Sequence, residues 1–435
     1  MKILLTGAKI IDPAQKIDAD MDVLLENGKI VKIGSDLLKS VKSKDSEKVK
    51  IIELAGMVLT PGLIDMHTHL REPGFEYKET VASGAAAAVA GGFTSIACMP
   101  NTSPINDNRS ITEFIRRKAA EADLANVYPI GAISKNSEGS QLTEFWDLKD
   151  AGVVALSDDG KPVMDAALMR RAMEYAFSLE LPIISHCEDI NLSGGGLMNE
   201  GYYSTILGLG GIPSIAEEAM VARDILIAEF TKTCVHIAHV STEGSVRLVR
   251  EAKKRGLRVT AETAPHYFTL TDEYLQGYDT NLKVNPPLRS TQDVAAIKEG
   301  LADGTLDVIA CDHAPHGRTD KELEFEYADN GISGLETSLA LSLNLIKEEV
   351  LSWPELIAKM SPNPARILNL SKGTLQVGAD ADITVIDPQL KWTVDVKTFR
   401  SRGKNSPFHG RKMQGKAILT IVGGEIKYVL PSLKV

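Results

Sequence analysis

The sequence predicts an α/β fold: a closed, TIM-like (β/α)8 barrel with a small β-sandwich domain built from both ends of the chain. Eight short apolar runs alternate with helical patterns, and polar residues follow nearly every run. Each end of the chain carries strand patterns too few to make a domain alone. We therefore divide the 435 residues into a composite β domain, 1–58 with 372–435, and a barrel, 59–371.

The terminal segments are predicted to form hairpins. VLLENGKIVKIG (23–34) places two apolar runs around Asn27-Gly28, and AILTIVGGEIKYV (417–429) does the same around Gly423-Gly424. ADITVID (381–387) reads as a further strand. The lysine- and serine-rich segment 35–50 is predicted to be a solvated loop.

The barrel prediction depends on the number and spacing of the internal apolar runs. They are GLIDMHTHL (62–70), FTSIACM (93–99), NVYPIGAIS (126–134), VVALSDDG (153–160), LPIISHCE (181–188), KTCVHIAHVS (232–241), LRVTAETAPH (257–266) and LDVIACDHAPH (306–316). Eight strands alternating with helices favour a closed barrel. An open doubly wound sheet would normally carry a glycine-rich phosphate loop after its first strand, and this sequence has none.

Two of the intervening helices are visible as patterns. Apolar residues recur every three or four positions from Met164 to Leu179, which is one face of a helix. The segment EGSVRLVREAKKRG ends in basic residues and Gly256, a typical helix stop.

Composition restricts the class of function. The chain is 43% hydrophobic and 24% charged with a formal net charge of −10, which argues against nucleic acid as a partner. No apolar run reaches the length of a membrane span, and the first residues lack a signal-peptide pattern. The four cysteines show no close-paired spacing and are predicted to be reduced, buried thiols. We expect a cytoplasmic protein that acts on a small molecule.

Histidines gather at the predicted carboxyl ends of the strands, where barrel enzymes place their chemistry. His67 and His69 end the first strand, His186 the fifth and His239 the sixth. His266 ends the seventh strand, and Asp312, His313 and His316 end the eighth. Residues two apart share one face of a strand, so the first pair can bind one zinc ion. His236 has the opposite parity to His239 and is predicted to be a packing residue.

The fourth strand ends in SDDG, and a second metal would need a bridging anion. Asp158, Asp159 or a carbamylated Lys161 could each supply it. The residues themselves leave this choice open, because Val153–Leu156 are apolar without alternation.

These motifs resemble the dihydroorotases of the amidohydrolase superfamily, of the long-chain bacterial class. The resemblance covers essentially the whole chain and includes GLIDMHTHLREPG, MPNT, SDDG, SHCE, AHVS, NPPLR, CDHAPHGRTDK, SPNPARILNL and GTLQVGADADITVID. It implies the zinc-dependent, reversible cyclisation of N-carbamoyl-L-aspartate to (S)-dihydroorotate in de novo pyrimidine (UMP) biosynthesis.

The resemblance also implies roles for individual residues. His67, His69 and Asp312 would hold the first of two zinc ions, His186 and His239 the second, and Asp159 would bridge them. Asp312 would act as general base and then acid. Arg71, Asn101 and His316 would bind the substrate carboxylate beside His69, and Asn285 and the Asn330-Gly331 backbone would line the ring.

Two other readings stay open. Hydantoinases and allantoinases share the fold but typically bridge their metals with a carbamylated lysine, which SDDG, Arg71 and Asn101 argue against. A non-catalytic paralogue that scaffolds aspartate transcarbamoylase would lose metal ligands, whereas this chain retains them. A homodimer and a complex with aspartate transcarbamoylase are both open. The charged segment GRTDKELEFEYADNGISG (317–334) is either a lid or an ordinary solvated loop.

Overall fold

The computed structural model describes residues 2–42, 49–431 and 433. Its strands are β1 (Lys2–Asp12), β2 (Ile17–Glu26), β3 (Lys29–Gly34), β4 (Val49–Glu53), β5 (Val58–Pro61), β6 (Leu63–Thr68), β7 (Phe93–Cys98), β8 (Asn126–Gly131), β9 (Ala155–Leu156), β10 (Ile184–Ser185), β11 (Met198–Asn199), β12 (Gly211–Ile212), β13 (Val235–Ile237), β14 (Val259–Thr263), β15 (Val308–Ile309), β16 (Ile383–Thr393), β17 (Lys412–Val422) and β18 (Glu425–Val429).

The α-helices are α1 (Leu37–Lys42), α2 (Val81–Gly91), α3 (Arg109–Ala122), α4 (Phe145–Ala151), α5 (Ala166–Ser178), α6 (Ile190–Ser193), α7 (Tyr202–Leu207), α8 (Ile215–Thr231), α9 (Glu243–Lys254), α10 (Thr291–Ala302), α11 (Arg318–Lys321), α12 (Leu335–Ser342), α13 (Asn344–Lys347), α14 (Trp353–Met360) and α15 (Pro362–Ile367). Short 3-10 helices cover Lys135–Ser137, Pro265–Phe268, Asp272–Gly277, Thr280–Leu282 and Val396–Thr398.

The eight predicted internal runs form a closed parallel barrel, which confirms the predicted fold class. Strands β6 to β9 pair in order, and β10, β13, β14 and β15 make a second parallel set. The Leu156–Ile183 bridge joins the two sets on one side, and the Thr68–His313 bridge joins them on the other. Closure brings the carboxyl ends of all eight strands to one rim, which is the condition for a shared site.

The two ends of the chain build one sheet outside the barrel. Its order is β18-β17-β16-β5-β1-β2-β3, with β4 also paired to β1. The predicted hairpins are both present, and their turns use positive φ at Asn27, Gly28, Gly423 and Gly424. Apolar side chains from both ends form a core separate from that of the barrel.

The loop predicted over 35–50 is wrong in part. Residues 37–42 form α1, because Leu37 is buried against Leu4 and gives this segment an anchor. Residues 49 and 50 begin β4, which pairs with β1. Residues 43–48 lie outside the described part of the chain.

The predicted helices are confirmed at α5 and α9. Helix α5 buries Leu168, Ala172 and neighbouring apolar residues, and α9 ends two residues before Gly256, whose φ is +77°. All four cysteines are free, and three of them are buried. None of the helices within the described residues is long and apolar enough to cross a membrane.

One segment of the β domain leaves its sheet and packs on the barrel. Between β16 and β17, Phe399 and Phe408 join a core that also contains Tyr267, Phe325 and Ile332 from the barrel. This docked segment therefore reaches the loops that follow strands β14 and β15.

Candidate active site

A cavity of about 340 Å³ opens at the carboxyl rim of the barrel. Every residue to which the resemblance gave a role lines this cavity except His67, which is fully buried. These lining residues are His69, Arg71, Asn101, Asp159, His186, His239, Asn285, Asp312, His316, Asn330 and Gly331. Phe75, Lys78, Gly160, Ala314 and Asp329 complete the lining.

Three of the lining residues have a strained backbone. The φ angles of Arg71, His239 and Asp312 are +63°, +31° and +47°, in the left-handed region that side chains disfavour. Such conformations persist where surrounding packing enforces them, and they cluster at functional sites. Each of the three follows a barrel strand, so the strain lies where the chain turns from the sheet into the rim.

Asp159 lies at the centre of the histidines. Its Oδ1 is 3.4 Å from Nε2 of His67, 3.3 Å from Nε2 of His239 and 3.6 Å from Nδ1 of His186. Its Oδ2 is 3.5 Å from Nε2 of His69. Burial by itself would raise the pKa of this carboxyl, but the surrounding imidazoles hold it well below its usual range. One carboxylate therefore faces histidines from both predicted metal positions.

The other two candidates for the bridge do not line the cavity. Asp158 accepts hydrogen bonds from the backbone N–H of Ser134, at 3.0 Å, and from its hydroxyl. Lys161 is exposed to solvent. Of these three residues, Asp159 is the one whose carboxylate lies among the histidines.

The residues present fit a metal centre. His67, His69 and Asp312 form one group, and His67, Asp159 and His239 form another, with ligand atoms within 4.8 Å of one another in each. Nε2 of His67 and Oδ1 of Asp159 are buried without a hydrogen-bond partner among the described residues. Such atoms are costly to bury unless a ligand satisfies them, and imidazole with carboxylate is a ligand set that metal ions accept.

The outward nitrogens of three of these histidines are already engaged. Nδ1 of His67 lies 2.5 Å from Oε1 of Glu262, and Nε2 of His186 lies 3.1 Å from Oε2 of Glu188. Nδ1 of His69 lies 2.9 Å from Oδ1 of Asn101. A hydrogen bond at one ring nitrogen fixes the tautomer and directs the other nitrogen's lone pair into the site.

Glu262 and Glu188 are functional candidates that the sequence reasoning missed. Histidines lower the pKa of each to about 2, against the effect of burial, so both are ionised acceptors. Glu188 also accepts a 2.9 Å hydrogen bond from Nδ2 of Asn285. The signal was present in SHCE and TAETAPH, where a glutamate follows or precedes a rim histidine by a few residues.

Two histidines predicted at the rim, His266 and His313, do not line the cavity, and neither does His236. His313 contacts Glu79 through Nε2 at 3.3 Å and accepts from the N–H of Gly334. His266 is buried, and burial lowers its pKa to about 4. His236, predicted to be a packing residue, also has polar contacts: Nδ1 lies 2.8 Å from Oγ1 of Thr260 and Nε2 lies 3.3 Å from Glu262.

The wall of the cavity opposite the histidine–aspartate cluster is cationic. Arg71 forms no ion pair with any described carboxylate; its contacts are the carbonyl of Pro315 at 3.2 Å and Nε2 of His316 at 3.2 Å. Nε2 of His316 also lies 2.8 Å from the carbonyl oxygen of Asn330. Burial, with Arg71 and Lys78 nearby, lowers the pKa of His316 to about 4. The wall therefore offers an arginine with its charge unpaired beside a neutral imidazole.

The segment 317–334 is tied down at several points and contributes to this wall. Nζ of Lys78 lies 2.6 Å from Asp329, and the buried Lys283 and Lys321 donate to backbone carbonyls of residues 326, 328, 329 and 331. These bonds place Asn330 and Gly331 at the cavity, so part of the segment is structural rather than freely solvated.

A closed (β/α)8 barrel with buried histidines and aspartates at its carboxyl rim defines a class: the metal-dependent hydrolases of the amidohydrolase superfamily. Comparison with known proteins agrees. Residues 56–245 match the dihydro-orotase-like family, and residues 225–428 match the amidohydrolase family.

Full-length relatives narrow this class. The chain is 63% identical over 428 residues to a dihydroorotase of Syntrophus aciditrophicus, covering 98% of this chain and 99% of that protein. It is 55% identical over 426 residues to a dihydroorotase of Geotalea daltonii, with coverage of 98% and 99%. The chain belongs to the dihydroorotase family. Among solved structures, an L-hydantoinase from Arthrobacter aurescens superposes with a TM-score of 0.86 at 25% identity, covering 100% of this chain and 97% of that one.

Proposed function

We propose that this cyclic amide hydrolase catalyses the reversible cyclisation of N-carbamoyl-L-aspartate to (S)-dihydroorotate, the step of pyrimidine biosynthesis for which its relatives are named. One observation carries the proposal: a single cavity joins a buried histidine–aspartate cluster to an arginine that has no carboxylate partner among the described residues. The cluster can hold a metal that acts on the ring amide. The arginine can donate two parallel hydrogen bonds to the substrate carboxylate.

We propose two zinc ions per chain as the metal. His67, His69 and Asp312 would hold one, His186 and His239 the other, and Asp159 would contact both. Zinc suits imidazole and carboxylate ligands, although other divalent ions accept them too. When bound, the ions would acidify a water molecule and polarise the ring carbonyl.

Asp312 is the proposed proton carrier. Its Oδ1 lies 3.0 Å from Nε2 of His69, and nearby histidines keep its pKa below the usual range despite burial. The carboxylate is therefore ionised and can accept the proton of the attacking water. It would then deliver that proton to the departing ring nitrogen, which leaves Asp312 ionised for the next cycle.

Arg71, Asn101 and His316 are proposed to bind the substrate carboxylate beside His69. The planar guanidinium can donate two parallel hydrogen bonds to it. Oδ1 of Asn101 is engaged by His69, so its amide N–H₂ is the group left to donate. His316 is neutral, so it would border the carboxylate beside the guanidinium without adding a second full charge.

Asn285 and the Asn330-Gly331 backbone are proposed to hold the ring. Nδ2 of Asn285 donates to Glu188, which leaves its Oδ1 free to accept from a ring N–H. The N–H of Gly331 donates to the backbone carbonyl of Lys283, so this glycine contributes space rather than a donor. A Cβ at position 331 would lie 2.6 Å from Ala314 and 3.1 Å from Nε2 of His316.

The alternatives gain no support from the site. A hydantoinase or allantoinase with a carbamylated lysine would need Lys161 at the cluster, and Lys161 is exposed. A scaffold without activity would not need the proposed ligand set, and every member of that set is buried at the rim. A homodimer, a complex with aspartate transcarbamoylase and a cytoplasmic location stay predictions that light scattering, co-purification and fractionation can test.

The proposed function is tested by assaying the purified, zinc-loaded protein in both directions. Ring closure converts a dianion to a monoanion and consumes a proton, so acid should shift the equilibrium toward dihydroorotate and alkali toward the open form. Hydantoin, allantoin and 5,6-dihydrouracil serve as competing substrates. Turnover of any of these at the rate of dihydroorotate, or an equilibrium insensitive to pH, would overturn the proposal.

A further inference from the structure

The docked segment of the β domain places a buried amide between two loops that contribute to the cationic wall of the cavity. Asn405 lies in the docked segment between β16 and β17, and only 4% of its surface is exposed. It does not line the cavity, and it is more than seventy residues from either loop in the sequence.

All four hydrogen-bonding positions of the Asn405 amide are used. Its Oδ1 accepts from the N–H of His316 at 2.9 Å and from the hydroxyl of Ser333 at 2.8 Å. Its Nδ2 donates to the carbonyl of Ala314 at 3.0 Å and to that of Gly331 at 2.9 Å. An asparagine side chain has two donors and two principal acceptor directions, so it is saturated here.

These four bonds divide between two short segments. One segment, 314–316, carries His316, and the other, 331–333, carries Gly331; both line the cavity. The segments also contact each other directly, through the N–H of Ala314 and the carbonyl of Ile332 at 2.9 Å. Asn405 therefore holds the backbone of two wall residues at once and sets their separation.

The separation matters because the wall is tight. Gly331 has a φ of +144°, and even an added Cβ would contact Ala314 and the ring of His316. The same ring lies 3.2 Å from Arg71. A shift of either backbone segment would thus move His316 relative to the guanidinium with which it would share the substrate carboxylate.

We propose that Asn405 is a positioning residue for the substrate: by fixing the backbone of His316 and Gly331, it sets the geometry of the carboxylate-binding wall. This inference rests on the proposed function and extends it to a residue of the β domain. Asn405 would not touch the substrate, so its loss should weaken ligand binding while the metal ligands stay in place.

Removal of the side chain should leave the segment docked. Phe399 and Phe408 are buried in the shared core, and the N–H groups of Arg400 and Ser401 donate to Glu336. Ser401 and the N–H of Arg402 contact Glu79 in addition. These contacts do not involve Asn405 and anchor the same stretch of chain.

Asn126 offers a matched control. Its Nδ2 donates to the carbonyl of Thr94, the hydroxyl of Ser95 and Oδ2 of Asp382. It therefore also joins the barrel to the β domain, but at the amino end of β8, away from the cavity. Asn126→Ala removes a comparable set of bonds and should cost stability without affecting the wall.

The experiment compares the parent protein, Asn405→Ala and Asn126→Ala, each loaded with zinc. Calorimetry gives the Kd for orotate, which carries the same carboxylate on an unreactive ring, and kinetics give KM and kcat for dihydroorotate. We expect Asn405→Ala to raise Kd and KM roughly tenfold or more, the equivalent of a lost hydrogen bond, with kcat changed much less. Zinc content should match the parent, and Asn126→Ala should bind orotate like the parent.

Parent values of Kd and KM in Asn405→Ala, or an equal rise in Asn126→Ala, would overturn the positioning role. If Asn405→Ala does not fold, Asn405→Asp decides: it keeps the acceptor for His316 but sets an oxygen against the carbonyls of Ala314 and Gly331. Orotate binding at parent affinity in that variant would equally overturn it. If the parent protein binds orotate but does not turn over dihydroorotate, the proposed function alone is overturned. If it does neither, both the proposed function and the positioning role of Asn405 are overturned.

Discussion

Oε1 of Glu262 lies 2.5 Å from Nδ1 of His67, and both side chains are buried. The histidine belongs to the first barrel strand and the glutamate to the seventh, so this contact spans the barrel interior. The carboxylate fixes the imidazole tautomer that leaves Nε2 free to face Asp159 and Asp312.

We predict from this contact that Glu262→Gln weakens metal binding roughly tenfold to a hundredfold, the usual cost of losing a group that orients a metal ligand. Competition with a chelator measures the change directly. Thr260→Ala is the control, because Thr260 lies on the same strand and contacts His236 rather than His67. Unchanged metal affinity in Glu262→Gln would show that Glu262 does not orient His67 for metal binding.

The central position of Asp159 predicts a ranking among three variants. Asp159→Ala should lose activity and part of the metal, because its oxygens face all four histidines. Asp158→Ala should be intermediate, since Asp158 supports Ser134, and Lys161→Ala should retain most activity. Zinc and turnover are measured for each, with and without bicarbonate. A dead Lys161→Ala, with bicarbonate stimulating the parent, would establish a carbamate bridge instead.

Asp312→Asn is predicted to reduce turnover by roughly two orders of magnitude or more, the usual contribution of a positioned acid–base group. Asparagine matches the aspartate in shape and can remain beside His69, but it cannot carry a proton. Single-turnover kinetics with the zinc content measured alongside separate this effect from metal loss. A rate within a few-fold of the parent at equal zinc would exclude Asp312 from proton transfer.

Arg71→Lys is predicted to raise KM for dihydroorotate strongly while zinc content stays the same. Lysine keeps the charge but loses the planar fork, so it cannot make the paired hydrogen bonds that a carboxylate accepts. The readout is the ratio of kcat/KM for dihydroorotate to that for 5,6-dihydrouracil, which lacks the carboxylate. The ratio should fall; if it stays constant, Arg71 does not bind that group.

Glu336, which accepts hydrogen bonds from the docked segment, should make the stability of the protein depend on pH. Burial raises the pKa of this carboxyl from 4.5 to about 7, although it accepts hydrogen bonds from the N–H groups of Arg400 and Ser401. The folded protein therefore binds a proton that the unfolded chain releases, so this group's contribution to stability falls as pH rises between these two values. Glutamine does not titrate, so Glu336→Gln should lack this fall in stability. Its free energy of unfolding should therefore rise relative to that of the parent as pH increases. Thermal melts of both proteins across this pH range test the prediction. A difference in Tm between Glu336→Gln and the parent that narrows with rising pH would contradict the assignment.

The sequence by itself determined the barrel and most of the residues at its rim. Strand runs have a local signature, and in a barrel the carboxyl ends of all strands meet at one edge, so His67, His69, His186 and His239 could be placed together without coordinates. The terminal hairpins were predictable for a similar reason, because the Asn27-Gly28 and Gly423-Gly424 turns demand positive φ. The motifs resembling the dihydroorotases then supplied roles that periodicity alone left open.

Only the tertiary structure decided which polar groups meet. Asp158 and Asp159 are adjacent and chemically identical, and they differ because one turns to Ser134 and the other to the histidines. Glu262 and Asn405 contact partners far away in the sequence, His67 and His316. Local periodicity reports which face of an element is apolar, but a hydrogen bond between distant segments depends on how those elements pack, so no stretch of sequence carries it alone.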